Sequence, residues 1–148
     1  MHLCITVKIQ NEVFIHLGIL DMSYIKYNPN PIAIRASDCT IRALAKALGI
    51  SWELAYVKAA INGLQMGDMP STGSVWGSVL RQNGFYRYAI PDYLPEDYSA
   101  EDFCRDHPDG IYVLDLGGNH VATVVNGDLY DSWDSSREIP QYYWYKKG

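Results

Sequence analysis

The stretch "GNHVATVVNGDLYDSWDS", residues 118–135, combines a strong turn signal with a histidine and several carboxylates. Asn126-Gly127 between two β-rich runs predicts a hairpin with a two-residue type I′ turn. Because side chains alternate between the two faces of a strand, counting outward from this turn places His120 and Asp131 on one face as diagonal neighbours. Such neighbours lie roughly 7 Å apart between Cβ atoms, within reach of a hydrogen bond. The same count sends Asp134 to the opposite face.

The remaining pattern predicts an α+β fold in which N-terminal helices pack on a C-terminal antiparallel sheet. Capping residues, apolar periodicity and terminating glycines predict helices over residues 39–49, 51–63, 74–84 and 99–110. The second helix is expected to end at Asn62-Gly63. Strands are predicted over residues 85–90, 111–116, the two hairpin arms and 142–145.

Length and composition predict one globular domain. The chain has 148 residues, 48% of them hydrophobic and 20% charged. These values are ordinary for a folded domain and leave no room for two of usual size. The net charge is −5, with no face rich in Lys or Arg. This charge argues against binding to nucleic acid or to an anionic membrane, even though the chain is rich in Tyr and Trp.

The cysteines indicate neither a disulfide scaffold nor a zinc site. Cys4, Cys39 and Cys104 are odd in number and form no C-x-x-C pair. We therefore expect no metal and no cofactor, and a reducing, cytoplasmic setting.

The N-terminal segment, residues 1–21, is interpreted either as an extension or as a hairpin that turns near Gln10-Asn11. Lys8, Asn11 and Glu12 interrupt its apolar run and no cleavage pattern follows, so it does not match a signal peptide. The single domain is expected to span residues 22–148.

Cys39 is the cysteine with the best placement for chemistry. It falls in the first turn of a predicted helix, after Ser37-Asp38, where free backbone N–H groups and the helix dipole favour a thiolate. A histidine at a strand start and a carboxylate one hairpin arm later follow it along the chain. Nucleophile, general base and orienting carboxylate occur in that order.

The runs "SDCTIRALAKALGI" and "GNHVATVVNGDLYDSW" resemble papain-like cysteine peptidases, especially the peptidase domains of bacteriocin-exporting ABC transporters. The stretch from "YNPNP" through "MGDMPSTGSVWGSVLRQNGF" to "IPQYYWY" also resembles small papain-like proteins of phages and gut bacteria, and covers most of the chain after Met22. The resemblance implies a papain-like fold and a thiol protease, a hydrolase acting on a peptide or protein. It makes Cys39 the nucleophile, His120 the general base and Asp131 the residue that orients it.

The sequence departs from this family pattern at the oxyanion hole. Relatives place a Gln six residues before the nucleophile, where this chain has Ala33. Asn28 or Asn30 is the candidate donor beside the Cys39 backbone N–H, and loss of one donor costs about 10²–10³ in rate.

The run "MGDMPSTGSVWG", residues 66–77, is the predicted wall of a substrate cleft, with Asp68 and Trp76 as candidate contacts. A place in the core is the alternative for Trp76.

Two functions follow from these observations. The first is a cysteine peptidase or amide hydrolase that works through a thioester. The alternative is a papain-fold binding protein without turnover, such as a phage factor whose partner is a host protein. Rapid thiol labelling near neutral pH is the observation that separates them.

Overall fold

A computed structural model describes residues 2–9, 13–20 and 22–146, the first two ranges by their backbone alone. Strands β1 (His2–Ile9) and β2 (Val13–Leu20) pair antiparallel as a two-stranded sheet. The predicted turn at Gln10-Asn11 lies outside the described residues.

The rest of the described chain forms four helices and a six-stranded sheet, so the α+β class is confirmed. The helices are α1 (Cys39–Leu48), α2 (Trp52–Met66), α3 (Gly73–Gln82) and α4 (Ala100–Asp106). The remaining strands are β3 (Tyr24–Lys26), β4 (Phe85–Ala89), β5 (Ile111–Leu116), β6 (His120–Val125), β7 (Asp128–Asp131) and β8 (Pro140–Lys146). They lie side by side in the order β3-β7-β6-β5-β8-β4.

The sheet is mixed, whereas an antiparallel sheet was predicted. Strand β3 runs parallel to β7, and all other neighbouring strands are antiparallel. The backbone N–H of Leu129 donates to the Ser23 carbonyl, and that of Tyr27 donates to the Asp131 carbonyl. Strand β3 has only three residues, which is too short for its sequence to show an alternating pattern. It forms because β7 provides the hydrogen-bond partners of its backbone.

The hairpin of β6 and β7 has the predicted register. Val124 lies opposite Leu129, and Asn126 and Gly127 have φ angles of 49° and 80°. A type I′ turn needs positive φ at both positions, which Asn and Gly tolerate. The turn therefore determines which side chains of the two strands share a face.

Helix α2 continues beyond the predicted end at Asn62-Gly63. Both residues are buried inside the helix, which stops at Gly67 in the left-handed conformation. A Cβ atom on Gly63 would lie 2.6 Å from the carbonyl oxygen of Asp68. This glycine therefore serves the close approach of the following loop and does not end the helix.

Two buried clusters cover the two faces of the sheet. Val113 of β5 packs with residues of α1, α2 and α3, while its neighbours Tyr112 and Leu114 pack with residues of α4. Because successive side chains of a strand point to opposite faces, the sheet lies between the three-helix layer and α4. The start of α1 reaches the end of the sheet where β6 begins and β7 ends.

Candidate active site

Cys39 is the first residue of α1, and the residue before it does not cap the backbone N–H groups at the start of this helix. The preceding Asp38 makes no capping hydrogen bond to the helix. Its carboxylate instead pairs with Arg42 and accepts hydrogen bonds from Asn30 Nδ2 at 3.1 Å and Trp52 Nε1 at 2.9 Å. The N–H groups of the first turn of α1 therefore receive no side-chain cap. Both these groups and the helix dipole favour an anion at this point.

The hairpin brings His120 and Asp131 together. Nε2 of His120 lies 2.6 Å from Oδ2 of Asp131. The neighbouring carboxylate, Asp134, instead accepts a hydrogen bond from the Ser136 backbone N–H at 3.1 Å and lines a different cavity. The structure thus places Asp131, and not Asp134, beside the imidazole, as the register predicted.

Cys39 and His120 contact each other across the junction of helix and sheet. The His120 side chain and the Val121 backbone lie close enough to the sulfur to lower the pKa of the Cys39 thiol. Since Asp131 binds Nε2, the nitrogen of His120 left for the sulfur is Nδ1. Cys39, His120 and Asp131 therefore lie next to one another in that order.

This contact favours the ionised form of both partners. Burial raises the pKa of the Cys39 thiol, but the hydrogen bonds from His120 and Val121 and the charges of His120 and Arg42 outweigh it and leave the pKa below its ordinary 9.0. Burial likewise lowers the pKa of His120, but Asp131 and Cys39 together raise it to about 9. The two shifts together favour the thiolate and the imidazolium over the uncharged pair.

The carboxylate of Asp131 is buried, with 2% of its surface exposed, and it is fully hydrogen-bonded. Oδ2 accepts from the Ser135 hydroxyl at 2.6 Å, and Oδ1 accepts from the Ser132 backbone N–H at 2.7 Å. Burial raises its pKa, but the hydrogen bonds and the charge of His120 hold that pKa below its ordinary value. Asp131 is therefore a fixed anion that orients the imidazole.

Arg42 completes the site and was missed by the sequence analysis. It lies one helical turn after Cys39, is only 7% exposed, and places its guanidinium between the carboxylates of Asp38 and Asp131. The distance from Arg42 Nη2 to Asp131 Oδ1 is 3.4 Å. The signal was an Asp and an Arg four residues apart at a helix start, a spacing that brings the two side chains together.

A cavity of about 530 Å³ opens above these residues. Its lining comes from the start of α1 and of α3 with the loops before them, from strands β5 and β6, and from the turns before β6 and after β7. The lining residues are Ala36, Ser37, Cys39, Thr40, Arg42, Ser71, Gly73, Trp76, Asp115, Gly118, Asn119, His120, Val121, Ser132 and Trp133. The ring of Trp133 covers the imidazole of His120 at 4.8 Å between centroids. Cys39 and His120 thus face a cleft that is partly shielded from water.

The predicted wall, residues 66–77, contributes only in part. Ser71, Gly73 and Trp76 line the cavity. Trp76 is also 5% exposed and packs edge-on against Trp144, so it belongs to the core as well. Asp68 is not among the lining residues: its carboxylate accepts hydrogen bonds from the Met69 N–H and the Thr72 hydroxyl and shapes the loop before α3.

The two oxyanion candidates have their side-chain amides engaged in the loop before α1. Asn28 donates to the Ile34 carbonyl at 3.1 Å, and Asn30 donates to Asp38 at 3.1 Å. The Asn30 carbonyl oxygen accepts from the Ile32 and Ala33 backbone N–H groups. Neither asparagine lines the cavity, so this arrangement does not support an oxyanion role for either one.

Cys104 provides an internal contrast with Cys39. It is 1% exposed in α4, and burial together with the charges of Asp128 and Glu101 raises its pKa to about 12. Such a thiol is not nucleophilic at neutral pH.

No protein-family model, no curated protein and no solved structure matches the chain. Within residues 22–146, no group of three His, Cys, Asp or Glu side chains is arranged to hold a metal ion. Among the described helices, none has both the length and the apolar character needed to cross a membrane.

Proposed function

We propose that this protein is a papain-like cysteine peptidase or amide hydrolase that works through a thioester on Cys39. The observation that carries the proposal is the juxtaposition of Cys39 and His120 on the wall of a cleft, with Asp131 bonded to the far side of the imidazole. This arrangement supports acyl transfer with Cys39 as the nucleophile, His120 as the general base and Asp131 as the orienting carboxylate. The helix-borne cysteine and the strand-borne histidine support the papain-like assignment.

In the first half of the reaction, the Cys39 thiolate attacks the carbonyl carbon of a peptide or isopeptide bond. A sulfur–carbon bond forms, and the tetrahedral intermediate collapses with cleavage of the carbon–nitrogen bond. The imidazolium of His120 gives its proton to the departing amine. The products of this half are a free amine and a thioester on Cys39.

In the second half, neutral His120 takes a proton from water, and the resulting hydroxide attacks the thioester carbonyl. The sulfur leaves as a thiolate, and the products are a carboxylic acid and the regenerated ion pair. Asp131 keeps Nε2 occupied throughout, so that Nδ1 faces the reaction centre.

The surroundings of the triad support these steps in two ways. Arg42 pairs with Asp131 and Asp38, and so ties the hairpin to the start of the helix that carries the nucleophile. Trp133 shields the imidazole, which strengthens the electrostatic interactions beneath it.

The oxyanion of the tetrahedral intermediate is assigned to the open N-terminus of α1. The backbone N–H of Cys39 has no acceptor inside the helix, and Asp38 supplies no cap. With Asn28 and Asn30 engaged elsewhere, this helix end is the principal donor, and a modest turnover rate is expected.

The engaged asparagines favour one alternative, a papain-fold protein that binds a partner, such as a host protein, without turnover. Because the contacts of Cys39 favour its thiolate under either function, amide cleavage separates the two, and the thiol labelling expected from the sequence does not.

The decisive experiment exposes wild type, Cys39→Ala and Cys104→Ala to a library of peptides, with detection of newly released amines. We expect cleavage by wild type and by the Cys104 variant, and none by the Cys39 variant. A cysteine-directed activity probe run in parallel should modify Cys39. Modification of Cys39 without cleavage of any peptide would overturn the hydrolase proposal and favour the binding protein.

A further inference from the structure

Asp115 places a carboxylate on the wall of the cleft, and the proposed mechanism does not use this group. It lies in β5, opposite Val121 of β6 and Tyr142 of β8. Directly opposed residues share a face of the sheet, so Asp115 projects on the same side as Val121, whose backbone contacts the Cys39 sulfur. Both residues line the cavity.

The ionisable groups on this wall leave one charge without a partner. The lining includes Cys39, Arg42, Asp115 and His120. Cys39 and His120 compensate each other, and Arg42 is held between two carboxylates. Among the described residues, none forms a salt bridge or a side-chain hydrogen bond with Asp115, whose uncompensated charge is negative.

Among the described residues, the cation whose charge acts on the Asp115 carboxylate is Arg87 of β4. Its charge lowers the pKa of Asp115, but burial of the carboxylate has the larger effect and raises that pKa. The Arg87 guanidinium lies over the ring of Tyr142, 4.2 Å from its centroid. Arg87 is thus engaged with Tyr142, and it is not among the residues that line the cavity.

We propose that Asp115 is a specificity-determining residue, which binds a cationic group of the substrate, an ammonium or a guanidinium, near the scissile amide. The inference rests on the proposed amide hydrolase and names its substrate class. A partly desolvated carboxylate gains most from a cation that replaces lost water, and it repels an acidic side chain. The cation has two sources, a Lys or Arg side chain or a free α-amino group.

The test uses peptidyl electrophiles that alkylate Cys39, because their reaction requires binding in the cleft but no turnover. The residue next to the reactive group is Lys, norleucine or Glu, and each peptide is made with a free and an acetylated amino terminus. Wild type, Asp115→Asn and Asp115→Lys are compared. Asp92→Asn, which removes an exposed carboxylate from the β4–α4 connection, is the matched control.

In wild type and in Asp92→Asn, a peptide that presents the cation should modify Cys39 roughly tenfold faster or more than its matched neutral peptide, and the acetylated Glu peptide should be slowest. The matched pair is Lys and norleucine if the cation is the side chain, and the free and acetylated forms of one peptide if it is the α-amino group. Asp115→Asn should bring the two rates of that pair together, and Asp115→Lys should reverse the order in favour of Glu. A preference for Lys over norleucine that acetylation does not change identifies the side chain as the cation. A faster reaction of the free form than of the acetylated form, equal for Lys and norleucine, identifies the α-amino group.

Equal rates for all electrophiles in wild type, or a cation preference that persists in Asp115→Asn, would overturn the inference. If the protein cleaves peptides but shows such equal rates, the hydrolase proposal still holds and only the proposed role of Asp115 is wrong. A cation preference that depends on Asp115, without cleavage of any amide, keeps this role and removes the hydrolase.

Discussion

The Nε2 atom of His120 lies 2.6 Å from Oδ2 of Asp131, and the two residues belong to strands joined by a two-residue turn. The turn fixes the register, and the register fixes which carboxylate meets the imidazole. Because this contact raises the pKa of His120, and His120 in turn lowers the pKa of the Cys39 thiol, it favours the ionised form of Cys39.

Replacing Asp131 by Asn should therefore disable the site while preserving side-chain volume. We expect amide cleavage to fall by about 10³–10⁴, as when an orienting carboxylate is lost from other triads. Because the negative charge beside the ring is removed, the pKa of His120 should also fall from about 9. Cleavage kinetics measure the first effect, and NMR titration of the imidazole measures the second.

Asp134→Asn is the matched control, since this carboxylate belongs to the same loop and bonds only the Ser136 backbone N–H among described groups. Its activity and its His120 titration should match wild type. A severe loss in this variant, with full activity in Asp131→Asn, would show that the strands pair in a different register.

Arg42 should matter far more for stability than its charge alone suggests. Arg42→Met leaves the buried carboxylates of Asp38 and Asp131 without their shared cation, and breaking such a buried pair costs about 3–5 kcal/mol. Arg105→Met removes a helix ion pair with Asp102 that is half exposed, for which we expect a loss below about 1 kcal/mol. Urea denaturation followed by far-ultraviolet circular dichroism measures both. Equal losses in the two variants would contradict a structural role for the buried arginine.

Gly77 in α3 should be intolerant of a methyl group. A Cβ atom there would lie 2.8 Å from Cζ2 of the Trp144 ring, which packs against the cleft residue Trp76. We expect Gly77→Ala to reduce the free energy of unfolding by about 1–3 kcal/mol through overpacking.

In the same helix, an alanine at Gly73 meets no atom within 4 Å and should leave stability unchanged or raise it by up to about 1 kcal/mol. Thermal denaturation of the two variants provides the comparison. A Gly77→Ala variant as stable as Gly73→Ala would mean that Trp144 moves freely.

The hairpin and its diagonal contact could be predicted because Asn126-Gly127 is a local signal with one dominant geometry. The start of α1 and the capping box of Ser99 and Asp102 were also local features, and the structure contains both. In each case, the residues that determine the geometry are within a few positions of one another.

Other features depended on tertiary contacts that no local pattern encodes. Strand β3 forms because β7 provides the hydrogen-bond partners of its backbone. Gly63 lies inside a helix and not at its end, where its small size lets the following loop pack closely against it. The structure likewise does not support the roles predicted for Asn28 in an oxyanion hole and for Asp68 in the cleft, since both side chains stabilise their own loops. Short polar side chains in loops often bond nearby backbone groups, and a sequence alone does not show when they do.

The most direct test of the account is the pH dependence of Cys39 alkylation by iodoacetamide, resolved by mass spectrometry of the modified peptides. Rates are measured from about pH 5 to about pH 10 for wild type and His120→Ala, with Cys104 of the same molecule as the buried control. The hydrogen bond and charge of His120 lower the Cys39 pKa, so the thiolate should form below the ordinary midpoint of 9.0.

In wild type, the rise in the Cys39 rate should have its midpoint below pH 9, with a second change near pH 9 when His120 loses its proton. His120→Ala should move the rise in rate to higher pH, and Cys104 should stay unmodified at neutral pH in both proteins. A Cys39 profile with its midpoint at the ordinary 9.0 in wild type, unchanged in His120→Ala, would contradict the ion pair and with it the proposed mechanism.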